Sequence, residues 1–211
     1  MTVKIAVFGS TGLTGGLVVQ EALKRGDEVT VLVREPHRVP IAHPQLTVLA
    51  GSPTSSADVG RCVKGADAVI HCLGIGGKGT GARTTLVSDS VKTVLESMKE
   101  NDVSRIVSMS VVGAGRSGTW IANKIIIPLF LRWLIPIIED KDRVETALRQ
   151  SGVEWVSVRL PSIVEGPAKP LRISADGRGI GLSITAISAA RFLLEQVTSA
   201  EYLRTTPSVS N

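Results

Sequence analysis

Residues Val3 to Gly15 read VKIAVFGSTGLTG, an apolar run followed by glycines at positions 9, 12 and 15. The run reads as a buried strand that turns directly into a helix. A helix starting there points its free backbone N–H groups and the positive end of its dipole at the turn, which makes an anion site of pyrophosphate size. Gly9 permits the tight turn, Gly12 lets phosphate oxygens approach the backbone, and Gly15 lets a helix carrying Leu13, Leu17 and Val18 lie against the sheet. The spacing is G-x-x-G-x-x-G, whereas the standard fingerprint is G-x-G-x-x-G, and such turns also occur as plain connections. Position decides for nucleotide binding: the motif follows an apolar strand and opens an amphipathic helix.

Outward from this turn, strand-like and helix-like segments alternate. Strands are predicted at Val3–Phe8, Val29–Val33, Thr47–Leu49, Ala68–Leu73, Ile106–Ser110 and Trp155–Val158. Helical spacing runs over Leu13–Lys24, Ser56–Lys64, Thr84–Lys99, Asp140–Arg149 and a last apolar helix around Ala186–Val197. Such alternation predicts an α/β chain, a Rossmann-type doubly wound parallel sheet with helices on both faces, in a single domain over 1–211. An apolar insertion occupies about 119–138. From about 163 the pattern loosens into a small portion expected on the substrate side.

Composition narrows the partners. Lys and Arg number 24 against 19 Asp and Glu, a net charge of +5, and aromatic residues make up 3% of the 211. The basic residues are scattered among acids, so neither a nucleic-acid stripe nor a base-stacking platform is visible. A small polyanion is the simpler partner. Cys62 and Cys72 lack C-x-x-C spacing and read as reduced core thiols of a cytoplasmic protein. No signal peptide is expected before the first strand, because Val3–Phe8 is short and passes straight into the glycine turn. His37, His43 and His71 show no ligand spacing with the cysteines or each other, so no metal site is expected, and His71 reads as a satisfied core histidine.

The end of the second strand bears on cofactor choice. About 20 residues past the glycine turn, an acid favours NAD and an arginine accommodates the 2′-phosphate of NADP. Here Thr30-Val31-Leu32-Val33 ends in Arg34, with Glu35 beside it and Arg38 close behind. NADPH is the expected cofactor; the plainer alternative leaves Arg34 as a solvated loop charge.

Five segments together, GSTGLTGG (9–16), TVLVREPHRVP (30–40), DAVIHCLG (67–74), KDRVETALRQSGVEW (141–155) and ADGRG (175–179), resemble the atypical short-chain dehydrogenase/reductase superfamily, in its NmrA-like branch and nearest the NADPH-dependent flavin reductases there. The resemblance implies that Gly9, Thr11, Gly12, Leu13, Thr14 and Gly15 wrap the pyrophosphate and that Arg34 holds the 2′-phosphate. It implies that Leu73 and Gly74 pass beside the cofactor ribose and that Pro161, Ser162 and Ile163 flank the nicotinamide.

Departures from that pattern carry equal weight. Gly51-Ser52-Pro53 replaces a Gly-Asp after the third strand, so an adenine-side carboxylate is missing and Ser52, by hydroxyl or backbone, has to remake the contact. The Tyr-x-x-x-Lys pair of the catalytic short-chain dehydrogenases is absent: Tyr202 is the single tyrosine, and Trp120 through Lys124 has the spacing but an indole cannot donate that proton. Val111 stands where a second serine follows Ser110, and Ser162 stands where the flavin reductases have a histidine.

Two catalytic candidates are left. Ser110, at a strand end, is placed to hydrogen-bond a substrate carbonyl or the nicotinamide amide, and Lys141 matches a lysine that related reductases bring to the site. The stretch Ile121–Ile138, IANKIIIPLFLRWLIPII, is broken by Asn123, Lys124, Pro128, Arg132 and Pro136 too often for a membrane span, so integral insertion is not expected. It reads as a lid over the substrate pocket or a homodimer interface, with a membrane-surface segment as the third reading.

The function these residues predict is NADPH-dependent reduction of a flat conjugated small-molecule acceptor such as a flavin, with the protein orienting hydride transfer and solvent supplying the proton. Two alternatives stand beside it: an NmrA-like regulator that senses the dinucleotide without turnover, and a reductase of a quinone or carbonyl substrate. A sugar-nucleotide epimerase is disfavoured by the short C-terminal half.

Overall fold

The computed structural model describes residues 2–75, 82–115 and 134–211. In chain order its strands are β1 (Lys4–Phe8), β2 (Glu28–Val33), β3 (Leu46–Ala50), β4 (Ala68–His71), β5 (Arg105–Gly115), β6 (Glu154–Leu160), β7 (Ser162–Val164), β8 (Arg172–Ser174), β9 (Ser183–Thr185) and β10 (Ser208–Ser210). The helices are α1 (Leu13–Lys24), α2 (Ser56–Val63), α3 (Leu86–Glu100), α4 (Ile135–Gln150) and α5 (Ala186–Glu195), with a short 3-10 turn at Pro36–Arg38.

Eight strands form one sheet in the order β3-β2-β1-β4-β5-β6-β10-β8. Its first six follow the order of the doubly wound dinucleotide folds and are parallel throughout, as the alternation predicts. Successive residues of β1 point to opposite faces: Ile5 and Val7 pack against α1 and α5, Ala6 and Phe8 against α2, α3 and α4. A parallel strand buried on both faces has no polar side, which is why β1 and β4 read as unbroken apolar runs. The register pairs Phe8 with Leu32 and His71, and His71 with Ser108, so the carboxyl ends of the central strands finish at one edge.

The remaining strands differ from the sequence reading. Each of β7–β10 is three residues long; β10 pairs parallel to β6 and antiparallel to β8, while β7 and β9 make a separate two-stranded sheet. Segments such as Ser208-Val209-Ser210 are too short to show a period and owe their conformation to the sheet edge that receives them. β4 stops at His71 and β5 runs on to Gly115. Helix α4 starts at Ile135, five residues before Asp140, so the end of the apolar stretch 121–138 is its first turn. The rest of that stretch, 121–133, lies outside the described residues, as do Trp120 and Lys124. Among the described residues no helix is long and apolar enough to cross a membrane.

Candidate functional site

A cleft of about 480 Å³ opens over the carboxyl ends of β1, β2, β4 and β5. All six residues expected around a pyrophosphate, Gly9, Thr11, Gly12, Leu13, Thr14 and Gly15, line it. Gly9 has φ +85°, and a Cβ there would sit 2.7 Å from the Cys72 carbonyl carbon, so the turn needs glycine both for its conformation and for its approach to the end of β4. A Cβ on Gly15 would overlap the Gly9 oxygen. Its bareness therefore serves the turn itself, a closer constraint than the helix-to-sheet packing expected from sequence. Gly12 caps α1 in an extended conformation without a side-chain hydrogen bond, and no acid stands in the first turn. The first intrahelical bond runs from Gly16 N to Gly12 O at 2.8 Å, which leaves the amides of Leu13, Thr14 and Gly15 without a helical acceptor. Leu13, expected to pack on the sheet, is 48% exposed; Val18 and Val19 do that packing.

Arg34 and Arg38 lie in the same cleft, at the end of β2. Glu35 pairs with His37 at 3.4 Å, and neither arginine has an ion-pair partner among the described residues. Arg38 has no motif to mark it in the sequence; the 3-10 turn begun by Pro36 carries it back to the cleft. Leu73 and Gly74 line the opposite side with Ile75, and Cys72, Met109 and Ile163 complete it.

Five predicted residues, Ser52, Ser110, Lys141, Pro161 and Ser162, do not line the cleft. Ser52 is turned to its own loop, its amide donating to Asp58 at 3.0 Å and its hydroxyl 3.0 Å from Thr54 Oγ1. Of Pro161, Ser162 and Ile163 only Ile163 lines the cleft; the Ser162 amide donates to the Leu182 carbonyl at 3.2 Å. Ser110 is buried, and its hydroxyl donates to Glu145 Oε1 at 3.1 Å on the α4 side, while the preceding Met109 faces the cleft. Strand alternation gives the two residues opposite faces.

Lys141 is buried too, yet its ammonium donates to the backbone carbonyls of Met109 (2.6 Å) and Leu73 (3.1 Å), both cleft residues. Burial pulls its pKa down to about 8, against the opposing pull of Cys72, Asp140 and Glu145. Burial also drives the Cys72 thiol up to about 12 and His71 down to about 3, the Lys141 charge adding to the latter. His71 is only half satisfied: Nε2 lies 3.1 Å from Ser90 Oγ and Nδ1 has no partner among the described residues. One helical turn before Lys141, where a Tyr-x-x-x-Lys pair would put its tyrosine, stands Ile137. Among the described residues no three His, Cys, Asp or Glu side chains gather as metal ligands.

Comparison with known proteins bears on the fold and on the class of cofactor. A curated relative, 3-beta-hydroxysteroid dehydrogenase of Mycolicibacterium neoaurum, is 38% identical over 72 residues, 34% of this chain and 19% of that protein, so the chain spans about a fifth of its length. A short-chain dehydrogenase/reductase of Veillonella parvula solved in complex with NADP superposes with a TM-score of 0.82 at 16% identity, covering 100% of this chain and 95% of its own. An oxidoreductase of Lactococcus lactis superposes at 0.80 with 16% identity, over 99% and 90% of the two chains. These structures share the fold, a Rossmann-type domain. A protein family described as NAD(P)H-binding matches residues 9–200, from the first glycine of the turn to the last helix and beyond, and the chain belongs to it.

Proposed function

We propose that the chain is an NADPH-dependent reductase of a flat conjugated acceptor, a flavin first among them. The observation that carries the cofactor choice is the pair of guanidiniums, Arg34 and Arg38, lining one cleft with a glycine turn and a helix start free of acids. The residues present fit the dinucleotide. The turn of Gly9, Thr11 and Gly12 would wrap the pyrophosphate, with the free amides of Leu13, Thr14 and Gly15 donating to it, Arg34 and Arg38 would hold the 2′-phosphate, and Leu73 and Gly74 would lie beside the ribose. Ile163 would flank the nicotinamide, with Pro161 and Ser162 behind it, and Ser52 would reach the adenine side only by giving up its contact with Thr54. When bound, the nicotinamide supplies the hydride.

What the chain supplies is orientation. Besides the two arginines, the one titratable side chain among the described lining residues is Cys72, whose thiol burial holds in its neutral form. A site this poor in acids and bases suits an acceptor that takes its proton from solvent, which supports a flavin over a carbonyl. The sequence likeness to biliverdin reductase B, an NADPH-dependent flavin reductase, supports the same acceptor. Buried free thiols at Cys62 and Cys72 fit a cytoplasmic setting.

Ile137 favours a second reading, an NmrA-like dinucleotide sensor, because its position offers no phenol for turnover. Stopped-flow oxidation of bound NADPH by a panel of flavins, quinones and carbonyls separates the two. Rapid bleaching by flavins alone is the expected result; NADPH that binds and stays reduced against every acceptor would establish the sensor.

A further inference from the structure

Behind the cleft wall, on the α4 side of the sheet, lies a carboxylate that the proposed reduction does not use. Glu145 is fully buried, and each of its oxygens accepts two hydrogen bonds. Oε1 takes them from Ser110 Oγ (3.1 Å) and Arg159 Nε (2.9 Å), Oε2 from Arg159 Nη2 (2.6 Å) and Arg149 Nη2 (2.9 Å). Ser110 and Arg159 are register partners on β5 and β6. Further along β5, Gly115 closes on the same pair: a Cβ there would strike the Arg159 guanidinium and lie 3.2 Å from Glu145 Oε2. The Gly115 amide in turn donates to Asp142 Oδ1 at 2.6 Å. With Lys141 on the Met109 carbonyl, α4 therefore grips the carboxyl half of β5 at residues 109, 110 and 115.

A buried ion pair is a poor device for stability alone, since desolvation of both charges offsets their attraction and apolar residues of similar volume often serve as well. A bidentate pair with every acceptor position filled does impose one geometry. The strand it fixes carries Met109 in the cleft wall, and reacting groups misplaced by about 1 Å lose on the order of a hundredfold in rate.

We infer that Glu145, held by Arg159, is a positioning residue for the reacting end of the cleft: it sets the carboxyl half of β5, and with it Met109 and the Lys141 ammonium bound to the Met109 carbonyl. Its rate consequences rest on the reductase reading; its effect on Lys141 does not. The groups facing Lys141 are Cys72 and His71 from β4 and its end, and Asp140 and Glu145 from α4. Neutralising Glu145 removes one of the two carboxylates that favour the ammonium.

The test uses Glu145→Gln, Ser110→Ala, which deletes only a hydroxyl and spares the fold, and the double replacement Glu145→Leu with Arg159→Leu. NADPH affinity by fluorescence titration should change less than about threefold, while single-turnover reduction of riboflavin slows about tenfold to a hundredfold. The double variant should regain thermal stability without regaining rate. A stable double variant with the wild-type rate would overturn the inference, because the pair would then serve the fold alone. If wild-type protein reduces no acceptor, the reductase reading falls, and positioning is judged on Lys141 by NMR titration of its Cε–Hε signal. Glu145→Gln should move that titration to lower pH; an unmoved titration refutes the inference.

Discussion

Gly15 lies directly beneath the carbonyl of Gly9, so that a Cβ on the former would overlap the latter's oxygen and sit 2.8 Å from its carbonyl carbon. Both neighbours are backbone, and neither can swing aside. Gly15→Ala should push the first turn of α1 off the loop, lowering stability by about 1–3 kcal/mol and NADPH affinity at least tenfold. Gly12→Ala is the control, since its Cβ would meet only the Gly9 oxygen, at 3.4 Å: thermal unfolding should hardly change, while cofactor affinity falls. Equal stability of the two variants would contradict this account.

Arg34 and Arg38 should act together. A charge-assisted contact to a phosphate contributes roughly 1.5–3 kcal/mol, or about ten- to a hundredfold in affinity. Arg34→Ala and Arg38→Ala should each weaken NADPH by that order and leave NADH nearly unaffected, and the double variant should bind both cofactors alike. Fluorescence titration with each dinucleotide gives the answer; parallel weakening toward NADH would assign the arginines to the fold.

His71 sets an acid limit on stability. Its folded pKa of about 3 lies below the unfolded value near 6.5, so as pH drops between them the unfolded chain takes up a proton that the folded chain refuses. Stability is thus intact above pH 6.5 and declines below it, by about 2 kcal/mol at pH 5. His71→Gln should flatten the dependence between pH 6.5 and 5 in urea unfolding.

Asp140 caps a helix that is not its own. Its carboxylate accepts from the amides of Val87 (3.1 Å) and Ser88 (3.3 Å) at the start of α3, where Thr85 supplies no side-chain cap. Asp140→Ala should cost about 2–3 kcal/mol, leaving buried amides unpaired, and Asp140→Asn about half of that. Hydrogen exchange should localise the loss to the first turn of α3.

Six strands and five helices were legible because the helices carry an apolar face at helical spacing and the strands read as short apolar runs, unbroken in β1 and β4, which are buried on both faces. The glycine turn was legible for another reason: its constraint is local, set by residues 9 to 15. Ser110 shows where this stops. Sequence puts it at a strand end, but one residue of register decides whether Ser110 or Met109 faces the cleft, and that register is fixed by α4 through Glu145 and Lys141. Arg38 and Asp140 were obscure for the same reason, their roles depending on where a 3-10 turn and a second helix bring them. The Gly-Asp missing after β3 shows the opposite limit. Asp58 of α2 sits against Gly51 and accepts the Ser52 amide, so the carboxylate next to that turn comes from the following helix and serves the loop itself.

The insertion of β10 between β6 and β8 imposes a schedule on synthesis. Ser174 leaves the ribosome 34 residues ahead of Ser208, roughly 2–7 s at ordinary elongation rates, and in that interval β8 has no strand to pair with. The six parallel strands are available for assembly from the moment β6 emerges. The nascent chain should therefore hold a glycine turn and cleft floor before its far edge exists, exposing the flank of β6 to a chaperone or to a neighbouring nascent chain until residues 208–210 arrive.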